Sequence, residues 1–122
     1  MWTWHQRTGI LKGPPGNKPV EQGYAGFGEG TNNPDMQHVK DVGPLPCGLY
    51  HITAPHNTPS HGPFVLGLVP DPTNTMFGRG GFLIHGDSIV SPGTASHGCI
   101  ILRRGIRELM WVSGDKALTV VA

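Results

Sequence analysis

The chain has 122 residues, 37% of them hydrophobic and only 14% charged, with a formal net charge of +1. That length fits one domain over residues 1–122, and the near-neutral balance speaks against nucleic acid or an anionic membrane as the main partner. Glycine (19) and proline (12) are abundant, yet the apolar content and low charge point to a folded, turn-rich protein rather than a disordered one.

From the N-terminus, Met1 to His5 alternates as a strand, with Trp2 and Trp4 on one face because side chains alternate with period 2. Thr8 to Lys12 reads as a second strand, and Gly13-Pro14-Pro15-Gly16-Asn17 as a turn. Gly23 to Pro46 is rich in Gly, Asn and Pro and reads as a long ordered loop with one helical turn near Asp35 to Val39. Such a loop in a small domain is often functional. Leu49 to Thr53 is the next strand, Pro55 to Pro63 is turn-rich, and Phe64 to Val69 is an apolar strand followed by a turn at Pro70 to Asn74. Phe82 to His85 is a short apolar strand ending on a polar residue, and Cys99 to Leu102 is another apolar run. Arg104 to Val112 has helical spacing at Ile106, Leu109, Met110 and Val112, with Gly114 as a stop. Lys116 to Val121 closes as a strand. The expected fold is mostly β, a small sandwich or barrel-like arrangement of mixed strands with one helix near the C-terminus.

No apolar stretch approaches the roughly 20 residues that span a bilayer. Met1 to Gln6 lacks the apolar core of a secretory signal, so the chain is expected to be made in the cytoplasm without one and not to insert in a membrane. The two cysteines, Cys47 and Cys99, permit one disulfide at most, and free thiols are the simpler expectation.

The chemistry concentrates in Phe82-Leu83-Ile84-His85-Gly86-Asp87 and Ser96-His97-Gly98-Cys99-Ile100-Ile101. Thiol catalysis needs a thiolate, and a neighbouring imidazole can take the proton. His85 and Cys99 each sit at the end of an apolar run, joined by a polar connection, so adjacent strands would bring them within reach. Gly98 allows close backbone approach and positive φ, and the amides of Gly98 and Cys99 are candidate donors to an oxyanion.

These stretches resemble the signature of the L,D-transpeptidase catalytic domain (YkuD-like fold), a His-Gly pair followed by Ser-x-Gly-Cys. The chain is also similar over most of its length to proteins of the Tlde1 type. The matching segments are Tyr24-Ala25-Gly26-Phe27-Gly28, Asn32-Asn33-Pro34, Val42-Gly43-Pro44-Leu45-Pro46-Cys47-Gly48-Leu49-Tyr50, His85-Gly86-Asp87-Ser88 and Gly98-Cys99-Ile100. The resemblance implies a type VI secretion effector that acts on peptidoglycan in the periplasm of competing bacteria, with a cognate immunity protein in the producer and no cofactor. The implied reaction is attack of Cys99 on the diaminopimelate–D-Ala bond of a tetrapeptide stem, with His85 as base. It also implies that His97 and Gly98 shape the catalytic site. Ser96, Gly86 and Asp87 would line it, and Tyr24 and Asn33 would reach it from the long loop, which is expected to flank the cleft. Asp87 has an equally good reading as a turn-forming residue, and Tyr24 and Asn33 as scaffold. The family's arginine two places after the cysteine is Ile101 here, leaving Arg103 and Arg104 as substitutes.

Two rivals remain open from the residues. One is zinc held by His85, His97 and Cys99, the last two pointing to one face if they share a strand. The other is a non-catalytic wall-binding module on the same fold. A papain-like amidase fits less well, because His85 precedes Cys99.

Overall fold

The computed structural model describes residues 1–122. Its strands are β1 (Trp2–His5), β2 (Ile10–Gly13), β3 (Lys18–Gln22), β4 (Tyr24–Ala25), β5 (Gly48–Ile52), β6 (His56–Thr58), β7 (Gly62–Pro70), β8 (Leu83–His85), β9 (Ile100–Ile101) and β10 (Ala117–Val121). One α-helix, α1 (Arg104–Val112), follows β9. The strands hydrogen-bond in the order β3-β2-β1-β10-β5-β7-β8-β9-β4, with β6 added on β7. The path is open rather than closed, and it is mixed: β1 with β10 and β8 with β9 are parallel, the other pairs antiparallel. The expected mostly β fold with one late helix is therefore present.

Alternation sets the core. Trp2 and Trp4 share the inner face of β1, and the register places them opposite Leu118 and Val120 of β10. Both indoles are buried with Leu11, Tyr50, Ile52, Leu66, Ile84, Ile100 and Met110 in one apolar cluster. Burying several such side chains, at about 1.5–3 kcal/mol each, is what holds a domain of this size without staples. Cys47 and Cys99 are free thiols.

Three segments differ from the sequence reading. Lys18–Gln22 forms β3 although it was not expected to be a strand, because an exposed edge strand lacks the apolar alternation that marks a half-buried one. The turn-rich stretch Pro55 to Pro63 contains β6, which pairs with β7 as a hairpin. The long segment Gly23 to Pro46 has its expected helical turn, a 3-10 turn at Pro34–Met36, but adds β4 and another 3-10 turn at Gly28–Gly30. The Asn33 side chain caps the Pro34–Met36 turn by accepting from the Asp35 N–H.

The helix spans the residues its spacing predicts, but its inner face is different. Ile106, Arg107 and Met110 point inward, while Leu109 is 47% and Val112 79% exposed. The helix rests on β7 and β8, and this brings an arginine to the back of the site. No helix is long and apolar enough to cross a membrane.

Candidate functional site

Parallel pairing of β8 with β9 positions the two residues that the sequence singles out. Ile84 lies opposite Ile100 and His85 opposite Ile101, and the Leu102 N–H donates to the His85 carbonyl at 3.1 Å. Cys99 immediately precedes β9. His85 thus ends one strand while Cys99 sits in the turn that leads into its neighbour, offset diagonally. Their side chains do not hydrogen-bond to each other. The Cys99 sulfur accepts from the Leu83 N–H at 3.3 Å, and His85 Nδ1 lies 2.9 Å from the Gly86 carbonyl. A carbonyl only accepts, so Nδ1 carries the proton and Nε2 holds the lone pair.

His85 is 3% exposed and forms part of the wall of a polar cavity of about 660 Å³. The other walls are the β6–β7 hairpin (Ser60, His61, Gly62, Pro63), the connection after β8 (Gly86 to Ile89, Thr94, Ala95, His97) and Arg107 of α1. The long segment Gly23 to Pro46, expected to flank this cleft, supplies none of its lining. It meets residues of the cavity wall through Phe27, whose ring stacks on His97 at 5.7 Å, and through Tyr24, whose hydroxyl donates to Asp87.

Burial lowers the His85 pKa from the ordinary 6.5, and the Gly86 carbonyl opposes this while His61 and Arg107 add to it and Asp87 opposes it. The ring is therefore neutral near pH 7 and able to accept a proton. Burial raises the Cys99 thiol above 9.0, against the opposing effects of the Leu83 amide and the Arg79 charge. The Cys99 sulfur is thus protonated at neutral pH in the free protein.

Ser96 is fully buried rather than lining the site. Its hydroxyl donates to the Cys99 carbonyl at 2.6 Å and accepts from the N–H groups of Gly26 at 2.8 Å and Gly98 at 3.1 Å. That last bond occupies the Gly98 amide, one of the two expected oxyanion donors. The Cys99 amide has no acceptor other than its own sulfur. Gly98 has φ +135°, and a β-carbon there would lie 2.7 Å from Arg79 Nη2 and 2.8 Å from Phe82 Cε1. A residue other than glycine would be strained in its backbone and would have to displace Arg79 or Phe82.

Asp87 is held by several donors: the Tyr24 hydroxyl at 2.6 Å and the N–H groups of Ser88 and Gly93. Burial opposes ionisation of Asp87, but these bonds together bring its pKa below the usual value. Tyr24 also accepts from the Ala95 N–H at 3.0 Å, and burial with the neighbouring carboxylate pushes it up to about 12. Both side chains fasten the 87–95 connection. Asn33 donates to the Glu29 carbonyl and accepts from Asp35 N–H, and it lies outside the cavity.

Neither Arg103 nor Arg104 lines the His85 cavity. Arg103 pairs with Glu21 and Arg104 with Glu108, both at the surface. The cavity arginine is Arg107. A second one, Arg79, was not foreseen: it donates to the carbonyls of Gln37, Gly43, Pro44 and His97 and stacks over Phe82. It ties the long segment to the turn before Cys99. A lone Arg between Phe77-Gly78 and Gly80-Gly81 gives no periodic signal, so nothing in the sequence marked it. His61, whose ring centroid is 4.6 Å from that of His85, lies in a stretch read only as turn.

Zinc lacks a ligand set. His97 precedes β9 in an exposed turn instead of sharing a strand face with Cys99, and no group of three or more His, Cys, Asp or Glu is placed to hold a metal ion.

The model of the Tlde1 domain matches residues 20–121. No curated protein and no solved structure matches the chain.

Proposed function

The chain belongs to the Tlde1-domain family, and from that premise we propose that it is a cysteine enzyme that cuts the diaminopimelate–D-Ala bond of peptidoglycan tetrapeptide stems. The observation that carries the reading is the parallel β8–β9 pair: it brings His85, buried in the wall of a polar cavity, next to the turn that bears Cys99, a residue that does not itself line the cavity.

In the proposed cycle His85 Nε2 takes the Cys99 proton when substrate closes over the site. Catalytic hydrogen bonds are often unmade in free enzymes and form in the complex. The thiolate attacks the carbonyl carbon at the L-centre of diaminopimelate. The Cys99 amide donates to the oxyanion, and the Ser96 bond to the Cys99 carbonyl keeps that peptide in place. The C–N bond breaks, D-Ala leaves with the proton from His85, and a thioester remains. Water then adds, giving His85 its proton, and the C–S bond breaks to release tripeptide and thiol. A D-amino acid in place of water gives exchange instead, the L,D-transpeptidase outcome. His97, exposed and stacked on Phe27, lies at the mouth where it meets the substrate.

The family match supports a type VI secretion effector, and the proposal extends this to action in the periplasm of target bacteria, with an immunity protein in the producer. Mass spectrometry of purified muropeptides tests the reaction. Conversion of tetrapeptide to tripeptide, lost in Cys99→Ala, is expected. An unchanged digest with folded protein would overturn it.

A non-catalytic wall-binding module is the second reading, favoured by the raised Cys99 thiol and by the unmade bond to His85. On that reading Cys99→Ala binds peptidoglycan as the natural chain does, and neither alters muropeptides.

A further inference from the structure

Arg107 is the one lysine or arginine buried in this protein, 4% exposed. Its Nε donates to the Leu102 carbonyl at 3.0 Å, and its Nη1 to the carbonyls of Pro63 and Phe64 at 2.8 Å. These bonds fix the plane of the guanidinium. Its Nη2 donates to nothing in the protein. The only sealed side-chain nitrogen or oxygen without a partner is His5 Nε2, so Nη2 opens onto the cavity. It faces Gly86, where a β-carbon would lie 3.1 Å away.

This cation makes no ion pair, and the neighbouring carboxylate of Glu108 is paired with Arg104. The acid in the cavity wall, Asp87, is taken up by Tyr24, Ser88 and Gly93. The remaining titratable wall is His61, His85 and His97. A buried, unpaired charge is costly, and the cost is relieved when an anion arrives. Arginine suits a carboxylate, which it meets with directed N–H donors. His61 adds a second polar group: its Nδ1 lies 3.0 Å from the Ser60 hydroxyl, and the tautomer in which Nδ1 accepts from that hydroxyl leaves Nε2 as a donor on a ring already against His85.

We propose that Arg107 Nη2 and His61 form a carboxylate-binding subsite that anchors the substrate peptide in the His85 cavity. The inference rests on the proposed stem-peptide reading, and it adds the group that is recognised. A tetrapeptide stem offers this chemistry from two sources, the terminal D-Ala carboxylate and the carboxylate on the D-centre of diaminopimelate.

Calorimetric titration of the whole chain carrying Cys99→Ala, which consumes nothing, tests it. The probes are the free tetrapeptide, its C-terminal carboxamide, the analogue with lysine in place of diaminopimelate, and inorganic phosphate. The free tetrapeptide is expected to bind at least tenfold more tightly than one of the two analogues, and the weaker analogue identifies the carboxylate. His61→Asn, at the hairpin tip, should weaken the free peptide several-fold while leaving that analogue unchanged. Arg107→Gln should do the same more strongly, and the His61 variant and the ligand analogues carry the test if Arg107→Gln fails to fold. Equal binding of all three peptides, binding of none, or binding of phosphate alone as an adventitious ion only, overturns the subsite. Muropeptides left intact alongside a retained carboxylate preference would sink the enzyme reading and spare this one. Turnover with no carboxylate preference would do the reverse.

Discussion

The rings of His61 and His85 lie against each other, with centroids 4.6 Å apart and planes tilted by 52°. One comes from the β6–β7 hairpin and the other from the end of β8, so the contact links the hairpin to the proposed base. Two imidazoles this close resist being charged together, and His61 is one of the groups that lowers the His85 pKa, after burial.

That relationship sets a pH dependence. The folded pKa of His85 lies below its unfolded value, so below pH 6.5 the unfolded chain binds a proton that the folded one refuses. Its share of stability is present above that pH and lost as pH falls toward the folded pKa. The slope is at most about 1.4 kcal/mol per pH unit for one proton. Urea unfolding of His85→Gln between pH 5 and 7 should show a shallower acid loss than the natural chain. Its muropeptide turnover should fall roughly 10²–10⁴-fold.

Cys99 should behave as a raised thiol in the free protein, because burial outweighs the Leu83 amide and the Arg79 charge. Iodoacetamide labelling, followed site by site so that Cys47 is scored separately, is expected to reach half its limiting rate above the range of an ordinary thiol. A midpoint below neutrality would mean that a standing imidazolium–thiolate pair exists before substrate arrives, which the geometry described above does not contain.

Ser96→Ala removes one hydroxyl that satisfies two buried N–H groups and one carbonyl. An unsatisfied buried polar group costs about 1–3 kcal/mol, so a loss of about 3 kcal/mol in denaturant unfolding is expected. Because the same hydroxyl shapes the turn before Cys99, turnover should fall further than the remaining folded fraction explains. Normal stability would contradict the role assigned to it.

Tyr24→Phe keeps the ring and removes the bonds to Asp87 and Ala95. The expected cost is about 1 kcal/mol, with faster amide exchange confined to residues 87–95. Exchange that speeds up uniformly across the chain would argue against a local clasp.

Much of this was legible from residue order. Alternation at Trp2 and Trp4 marked an inward strand face, and three- and four-residue spacing marked Arg104–Val112 as the helix. The joint pattern of His85-Gly86 and Ser96-His97-Gly98-Cys99 marked the candidate site. Edge strands such as Lys18–Gln22 were not legible, since their exposed side chains carry no periodic apolar signal. The helix face was read partly wrong for a similar reason: hydropathy favours Leu109 and Val112, but packing turned Ile106, Arg107 and Met110 inward.

The sequence by itself determined the strand-rich class, the single helix, and which histidine and cysteine carry the candidate chemistry, because those properties live in local periodicity and in residue type. Only the tertiary structure decided what surrounds them. It put Arg107 and His61 beside His85, buried Ser96 under the turn, used Arg79 to bind the long segment to His97, and left His85 and the turn bearing Cys99 side by side without a bond between the two side chains. Those arrangements join residues far apart in the chain through side-chain hydrogen bonds and burial, and no local pattern records which distant partner a polar group will find.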